Sequence, residues 1–259
     1  MDEQKDLYRE ERQQAIVNLV TDYGRASVAE LAEKFGVSQV TIRADLQALA
    51  ERELVVRTHG GAVSASPGLR EFSLTYRTGQ QVVEKDRIGA AAAQMVCHGD
   101  AIILDSSSTA LAVARHLKRH RDLTIITNGV ATAYELLDAH GVTVVMPGGT
   151  VRRDMASLIG GADLDRFRTF NVKVGFFGAH GLSIAEGLTD VSVGEAEVKR
   201  PLVALCRQVV AVVDATKWGR AGLASFAPLA VLNSIITDTN APTALVEQAR
   251  AAGVQVELV

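Results

Sequence analysis

The sequence predicts an α/β protein in two parts: a small, mainly helical N-terminal unit closed by a β-hairpin, and a larger domain of alternating helices and strands. Three observations predict it. Between Ser27 and Val63, two helical periods flank Gly36 and are followed by two short apolar runs. From Ser64 to about Glu84 no regular period survives, and Ser, Pro and Gly open the stretch, as in a linker. From Lys85 onward, apolar runs such as Ala101-Ile102-Ile103-Leu104 alternate with helical segments, the pattern of buried parallel strands and their crossovers. The expected organisation is therefore 1–63, a linker over 64–84, and a second domain over 85–259.

Each element has a local cause. Residues 7–23 read as a helix with Ile16, Leu19 and Val20 on its apolar face and Gly24 at its end. Ser27 can cap the next helix, with Glu30 three residues on closing a capping box. Leu31, Ala32 and Phe35 repeat at helical spacing, and Gly36 sits where a left-handed residue ends a helix most cheaply. Ser38 can cap the following helix. Val40 is expected to point back at its predecessor, and Ile42, Leu46 and Leu49 to continue the buried stripe. Residues 54–57 and the segment to Val63 form the hairpin. Within the linker, Phe72, Leu74 and Tyr76 alternate and are expected to pack on a domain or pair with a partner chain. Beyond it, helices are expected near 88–96, 110–118, 131–139, 196–205 and 245–251. Strands are expected at 101–105, 123–127, 142–146, 172–177, 208–214, 234–237 and 254–258.

The second capped helix carries the first functional hint. Gln39, Thr41 and Arg43 fall off its buried stripe near the N-terminus, where a recognition helix places residues on base edges. Gln can pair with adenine, Arg with guanine, and a Thr methyl can touch thymine. Arg57 and His59 on the hairpin would face phosphate or the minor groove. Periodicity alone leaves an ordinary small helical bundle equally open. Charge tempers the expectation. Residues 1–63 hold eight Lys or Arg against eleven Asp or Glu, and the remainder holds nineteen of each, so the net charge of −3 lies entirely in the first part. Because non-specific affinity follows neutralised phosphates, moderate DNA affinity that depends on dimerisation is expected.

In the second part, ligands of open α/β sheets bind beyond the carboxyl ends of the strands. Four such ends carry suitable loops. Ser106, Ser107, Ser108 and Thr109 offer hydroxyls and backbone N–H groups at a helix start, equally readable as phosphate donors or as helix caps. Thr127 and Asn128 close the next strand. Gly148 and Gly149 follow the third; each of these two loops taken alone reads more simply as a turn. His180, in the segment from Gly178 to Gly181, could contact substrate hydroxyls, although a lone strand-end His is more often merely solvated. Glu195 and Lys199, four apart on a helix, read most simply as a surface pair. Lys217 could reach a phosphate as a point charge.

Two longer patterns bring these pieces together. ELAEKFGVSQVTIRADLQAL followed by RTHGGAV resembles the winged helix-turn-helix of DeoR-family transcriptional regulators, whose usual form has VS, TIRRDL, a Leu and a closing HGGA. Ala44 stands where the second Arg is expected, which removes one phosphate contact. The order LD plus a hydroxyl loop, TNG, PGG, GxxG, ExExxK and DxTK over 85–259 is similar to the DeoR-family sensor domain. The resemblance implies a fold like ribose-5-phosphate isomerase and a phosphorylated sugar as effector. It further implies a repressor of carbohydrate-metabolism genes acting on double-stranded operator DNA. DNA contacts are then expected from Ser38, Gln39, Thr41, Arg43, Arg57 and His59. Effector contacts map onto Ser106 to Thr109, Thr127, Asn128, Gly148, Gly149, Glu195, Lys199 and Lys217, with His180 as a further candidate. The family's first loop is typically DSGTT, so Ser107-Ser108 replace Gly-Thr and re-aim it. A homo-oligomer is expected, a dimer from paired half-sites or a tetramer from the resemblance.

Other classes fit less well. A sugar-phosphate isomerase or deaminase with an accessory N-terminal domain needs a carboxylate to move a proton beside a carbonyl. The turn from Gly178 to Gly181 has none, although Glu195 could substitute; binding without turnover is the expectation. A nucleoid-type DNA protein leaves the strand-end loops unexplained. Cys97 and Cys206 lie in apolar segments without metal-ligand spacing and are expected to be small core residues of a reducing compartment. No metal or cofactor is expected. No apolar run is long enough to span a bilayer and the N-terminus is unlike a signal peptide, so a cytoplasmic protein with no membrane partner is expected.

Overall fold

The computed structural model describes residues 9–52, 54–64, 73–160 and 165–259. The chain divides into two compact units, Met1–Gly79 and Gln80–Val259.

The first unit contains α1 (Arg9–Tyr23), β1 (Arg25–Ser27), α2 (Val28–Phe35), α3 (Gln39–Glu51), β2 (Val55–Thr58), β3 (Gly61–Ser64) and α4 (Leu74–Thr78). Ser27 and Glu30 form the full capping box, each side chain accepting the other's backbone N–H at 3.1 and 2.8 Å. The Ser27 backbone N–H and hydroxyl hold the Glu30 carboxyl below its ordinary pKa. Gly36 ends α2 at φ 65°, and the Ser38 side chain caps α3. Ile16, Val20, Val28, Leu31, Ile42, Leu46, Leu49, Val55 and Ala62 close one core.

Val40 departs from expectation: it is 72% exposed. It precedes Ile42 by two residues, about 200° around a helix, so the stripe that buries Ile42 turns Val40 outward. Ahead of Ser27, β1 adds a third strand to the hairpin, in the order β1-β3-β2. Ser27 pairs with Gly61 in that ladder, and a Cβ on Gly61 would run into the Ala26 carbonyl oxygen. The second glycine of HGGA is thus required by close strand approach.

The expected linker also differs where it is described. Phe72 lies outside the described residues, but Leu74 and Tyr76 belong to α4, capped by the Ser73 hydroxyl. Two alternating apolar residues cannot outweigh a cap at the start of a turn. The next helix, α5 (Val82–Ala93), starts earlier than residue 88 because its exposed first turn carries no core-facing signal; its buried face begins at Lys85 and Ile88.

The second unit continues with β4 (Ala101–Leu104), α6 (Ser108–Leu117), β5 (Leu123–Thr127), α7 (Val130–Glu135), β6 (Val142–Val145), β7 (Thr150–Arg152) and β8 (Ser157–Ile159). Then come β9 (Val174–Phe177), β10 (Gly181–Ser183), β11 (Gly187–Asp190), α8 (Val193–Ala204), β12 (Gln208–Val212), β13 (Ala224–Ala227), β14 (Ser234–Thr237), α9 (Thr243–Ala251) and β15 (Gln255–Leu258). Seven strands form one sheet in the order β15-β14-β12-β9-β4-β5-β6, parallel at every pairing. Both faces are covered: Ile102 and Leu104 join one core and Ile103 the other, as do Val210 and Val212 against Ala211. This is why the strands read as unbroken apolar runs. A smaller antiparallel sheet, β10-β11-β13, and the hairpin β7-β8 lie outside it. Cys206 is partly buried as expected, but Cys97 is exposed, because it lies in the turn after α5 and not in the helix.

Gly61→Ala should destabilise the first unit by about 1–3 kcal/mol, the usual cost of overpacking, and leave the second unit's unfolding transition in place. Thermal denaturation of this variant beside the unaltered chain checks this; an unchanged first transition contradicts the close-approach account.

Candidate functional site

On the first unit, the sequence candidates lie on the exposed start of α3 and on the hairpin. Ser38, Gln39, Arg43, Arg57 and His59 are exposed and Thr41 is half-buried. The Thr41 N–H donates to the Ser38 hydroxyl at 3.1 Å and the two hydroxyls pair at 2.9 Å, leaving the Thr41 methyl as its outward chemistry. Arg43 Nη2 donates to Gln39 Oε1 at 3.3 Å, so these two sit one turn apart on a single face. Arg57 Nη1 donates to Gln47 Oε1 at 2.9 Å and ties β2 to α3. His59 occupies the β2–β3 turn.

Sequence reasoning missed the residue that holds α3 in place. Asp45 is 2% exposed and accepts from Arg12 Nε at 2.7 Å and Gln13 Nε2 at 2.9 Å. An acid inside the stripe Ile42, Leu46, Leu49 was the available signal, since an ionised carboxylate is buried only with partners.

On the second unit, the candidates gather beyond the carboxyl ends of β4, β5, β9 and β12. Ser106, Ser107, Ser108 and Thr109 are all buried. The Ser107 hydroxyl caps α6 by accepting the Ala110 N–H at 3.0 Å. A Cβ on Gly178 would collide with that same hydroxyl, so the end of β9 has room for Ser107 only because residue 178 is glycine. Asp105 Oδ1 accepts the Ser107 N–H at 3.0 Å, and Oδ2 accepts the Gly178 N–H at 3.1 Å.

Glu195 and Lys199 are not the surface pair that their spacing suggests: they are 0% and 3% exposed and take different partners. Lys199 Nζ lies 2.9 Å from Asp105 Oδ2, 2.8 Å from Asp190 Oδ2 and 4.9 Å from the Phe226 ring centre. Burial by itself would push its pKa down. The carboxylates of Asp105, Asp190 and Glu195 outweigh that effect and raise it above the ordinary lysine value, so the ammonium stays charged at any physiological pH. Glu195 accepts from the Ser106 hydroxyl at 3.2 Å and closely from the Ser157 hydroxyl. Asn128 Nδ2 donates to Ser106 Oγ at 3.3 Å, while its buried Oδ1 has no hydrogen-bond partner among the described residues. Thr127 Oγ1 accepts the Gly129 N–H at 3.0 Å.

The remaining candidates lie around this cluster's loops. Gly148 and Gly149 are exposed, with φ of 82° and 118°, at the base of the β7–β8 hairpin. His180 is half-buried between β9 and β10, its N–H bonded to the Thr189 carbonyl at 2.9 Å. Lys217 is half-buried at the end of the helical turn after β12, which Asp214 caps. Asp190 and Ser157 were missed because they come from short antiparallel strands that no periodicity announced. Among the described residues, no group of three or more His, Cys, Asp or Glu could hold a metal ion, and no helix is long and apolar enough to cross a membrane.

Lys199→Met should destabilise the second unit by about 3–5 kcal/mol, because it leaves Asp105 and Asp190 buried without their cation. Urea denaturation measures this directly; a loss below 1 kcal/mol would mean that the two acids find other partners.

Comparison with known proteins agrees with this division. Residues 12–67 match the DeoR-like helix-turn-helix domain and residues 80–239 the DeoR C terminal sensor domain. The chain is 35% identical over 248 residues to the HTH-type transcriptional regulator GolR of Listeria innocua, covering 96% of this chain and 98% of that protein. It is 32% identical over 248 residues to the glycerol-3-phosphate regulon repressor of Escherichia coli, with the same coverage. The HTH-type transcriptional repressor GlcR of Bacillus subtilis is 31% identical, covering 90% of this chain and 89% of that one. Among solved structures, ribose 5 phosphate isomerase A from Neisseria gonorrhoeae aligns over 52% of each chain at 14% identity and a TM-score of 0.39. With both parts of the chain matched and its relatives named as regulators and repressors, not enzymes, the chain belongs to the DeoR family of transcriptional regulators.

Proposed function

We propose that the protein is a cytoplasmic repressor of carbohydrate-metabolism genes, released from or held on its operator by a phosphorylated sugar bound to the second unit. The observation that carries this reading is the buried polar cluster of Ser106, Asn128, Ser157 and Glu195 beyond the strand ends, with the Asn128 amide oxygen lacking a partner among the described residues. Buried polar atoms are normally satisfied, and hydroxyls, an amide and a carboxylate together suit the alternating donors and acceptors of a sugar. The first-turn N–H groups of α6, at Ser108 and Thr109, have no intrahelical acceptor and suit a phosphate. Lys217 supplies a point charge after β12, two strands from β4 in the sheet. Relatives named for a glycerol-3-phosphate regulon and for transcriptional repression support the same class of gene.

On the DNA side, Gln39 and Arg43 read base edges and Arg57 and His59 contact the backbone or minor groove. The chain acts as a homo-oligomer, since paired half-sites multiply affinity. No cofactor is needed: the ligand has only to bind one arrangement of the protein better than another.

The test is fluorescence anisotropy of DNA from upstream of the protein's own gene, titrated with full-length chain, with and without a panel of sugar phosphates. One ester is expected to change the binding curve. Arg43→Ala should weaken specific DNA binding by about 1–3 kcal/mol while the ester still binds. Unchanged DNA affinity in that variant would remove α3 from the reading. Absence of any effect from the panel on a chain that binds specifically would remove the effector.

A further inference from the structure

The effector site described above has one charged neighbour that no pattern singled out. β7 and β8 pair with Arg152 directly opposite Ser157. Opposite residues of an antiparallel pair present their side chains on the same face, with Cβ atoms roughly 4.5–5.5 Å apart. Ser157 donates to Glu195, so the register places Arg152 beside the polar cluster. The hairpin is also fastened to the end of β5. Leu158 N–H donates to the Asn128 carbonyl and Val130 N–H to the Ala156 carbonyl, both at 2.8 Å. The position of Arg152 relative to Asn128 is therefore set by backbone bonds.

Two cations beside the cluster, Lys199 and Arg152, are held very differently. Lys199 is enclosed by two buried carboxylates, and its charge is already neutralised. Among the described residues Arg152 pairs with Asp154 alone, in a two-pronged contact, Nε to Oδ1 and Nη2 to Oδ2, each 2.9 Å. The side chains are 22% and 36% exposed. Its Nη1 makes no hydrogen bond among the described residues. The Asp154 partner raises the Arg152 pKa, and Glu195 and Asp190 add to that at longer range, which agrees with the placement. A partly exposed ion pair of this kind contributes little to stability. A phosphate ester offers the same fork geometry with more charge, and the guanidinium is suited to it.

We propose that Arg152 recognises the phosphate of the effector, exchanging the Asp154 carboxylate for the ester and so selecting phosphorylated over unphosphorylated sugars. The inference rests on the effector reading given under Proposed function.

Calorimetric titration of the full-length chain tests it. The probes are glycerol 3-phosphate, glucose 6-phosphate, fructose 6-phosphate, their unphosphorylated counterparts and inorganic phosphate. Arg152→Ala should weaken the ester that binds by roughly ten- to a hundredfold and leave the counterpart's affinity unchanged. Arg152→Lys should fall between, because an ammonium keeps the charge without the fork; it also serves if the alanine variant does not fold. Asp154→Asn should bind the ester as tightly or more tightly, since it removes the competing anion. A purely structural pair predicts otherwise: both substitutions lower the melting temperature and weaken the ester alike, and that result overturns the inference. Equal ester affinity in Arg152→Ala and the unaltered chain also overturns it while sparing the effector reading. An unaltered chain that binds none of the esters removes both.

Discussion

The second unit depends on one buried ion cluster. Lys199 on α8 meets Asp105 at the end of β4 and Asp190 on β11, and Asp105 also accepts the Gly178 N–H after β9. One ammonium thus links a helix, two strands of the parallel sheet and a strand of the small antiparallel sheet. Backbone N–H groups at Ser107, Gly178 and Val191 also donate to the two carboxylates that surround the lysine. Such clusters rigidify when every member is satisfied. The satisfied part is the Lys199 cluster; the Asn128 oxygen, without a hydrogen-bond partner among the described residues, lies in the adjoining cluster with Glu195. The two clusters are therefore neighbours, and Glu195 and Lys199 join them through one helix.

The first unit repeats the device on a smaller scale. Asp45 fixes α3 against α1 through Arg12 and Gln13, which frees the opposite side of α3, with Gln39 and Arg43, to face outward. Val40 on that outward side is part of the same geometry.

Much of this was legible in the sequence, for reasons that differ by element. The caps at Ser27 and Ser38 and the turn at Gly36 are written in adjacent residues, so local reading suffices. The parallel strands are buried on both faces and stand out as apolar runs. The strands β1, β7, β8, β10, β11 and β13 did not stand out, because each is three or four residues long and held by its neighbours. The burial of Glu195 and Lys199 was equally illegible. An acid and a base four apart on a helix resemble a solvated pair, and what buries them is Asp105, Ser106, Ser157 and Asp190, brought from distant parts of the chain. Arg152 was hidden for the same reason: its role depends on which residue faces it across a short hairpin.

The contact between Ser107 and Gly178 bears on how relatives of this chain should be compared. The hydroxyl that caps α6 occupies the volume that a side chain at 178 would need. A glycine at 107, the more usual residue in this loop, would vacate that volume and relax the demand on 178. The two positions are therefore coupled in this chain: a side chain at 178 collides as long as Ser107 fills that volume. Loop sequences across the family then have to be compared as pairs drawn from β4 and β9, because the fitness of either residue is defined only with the other in view.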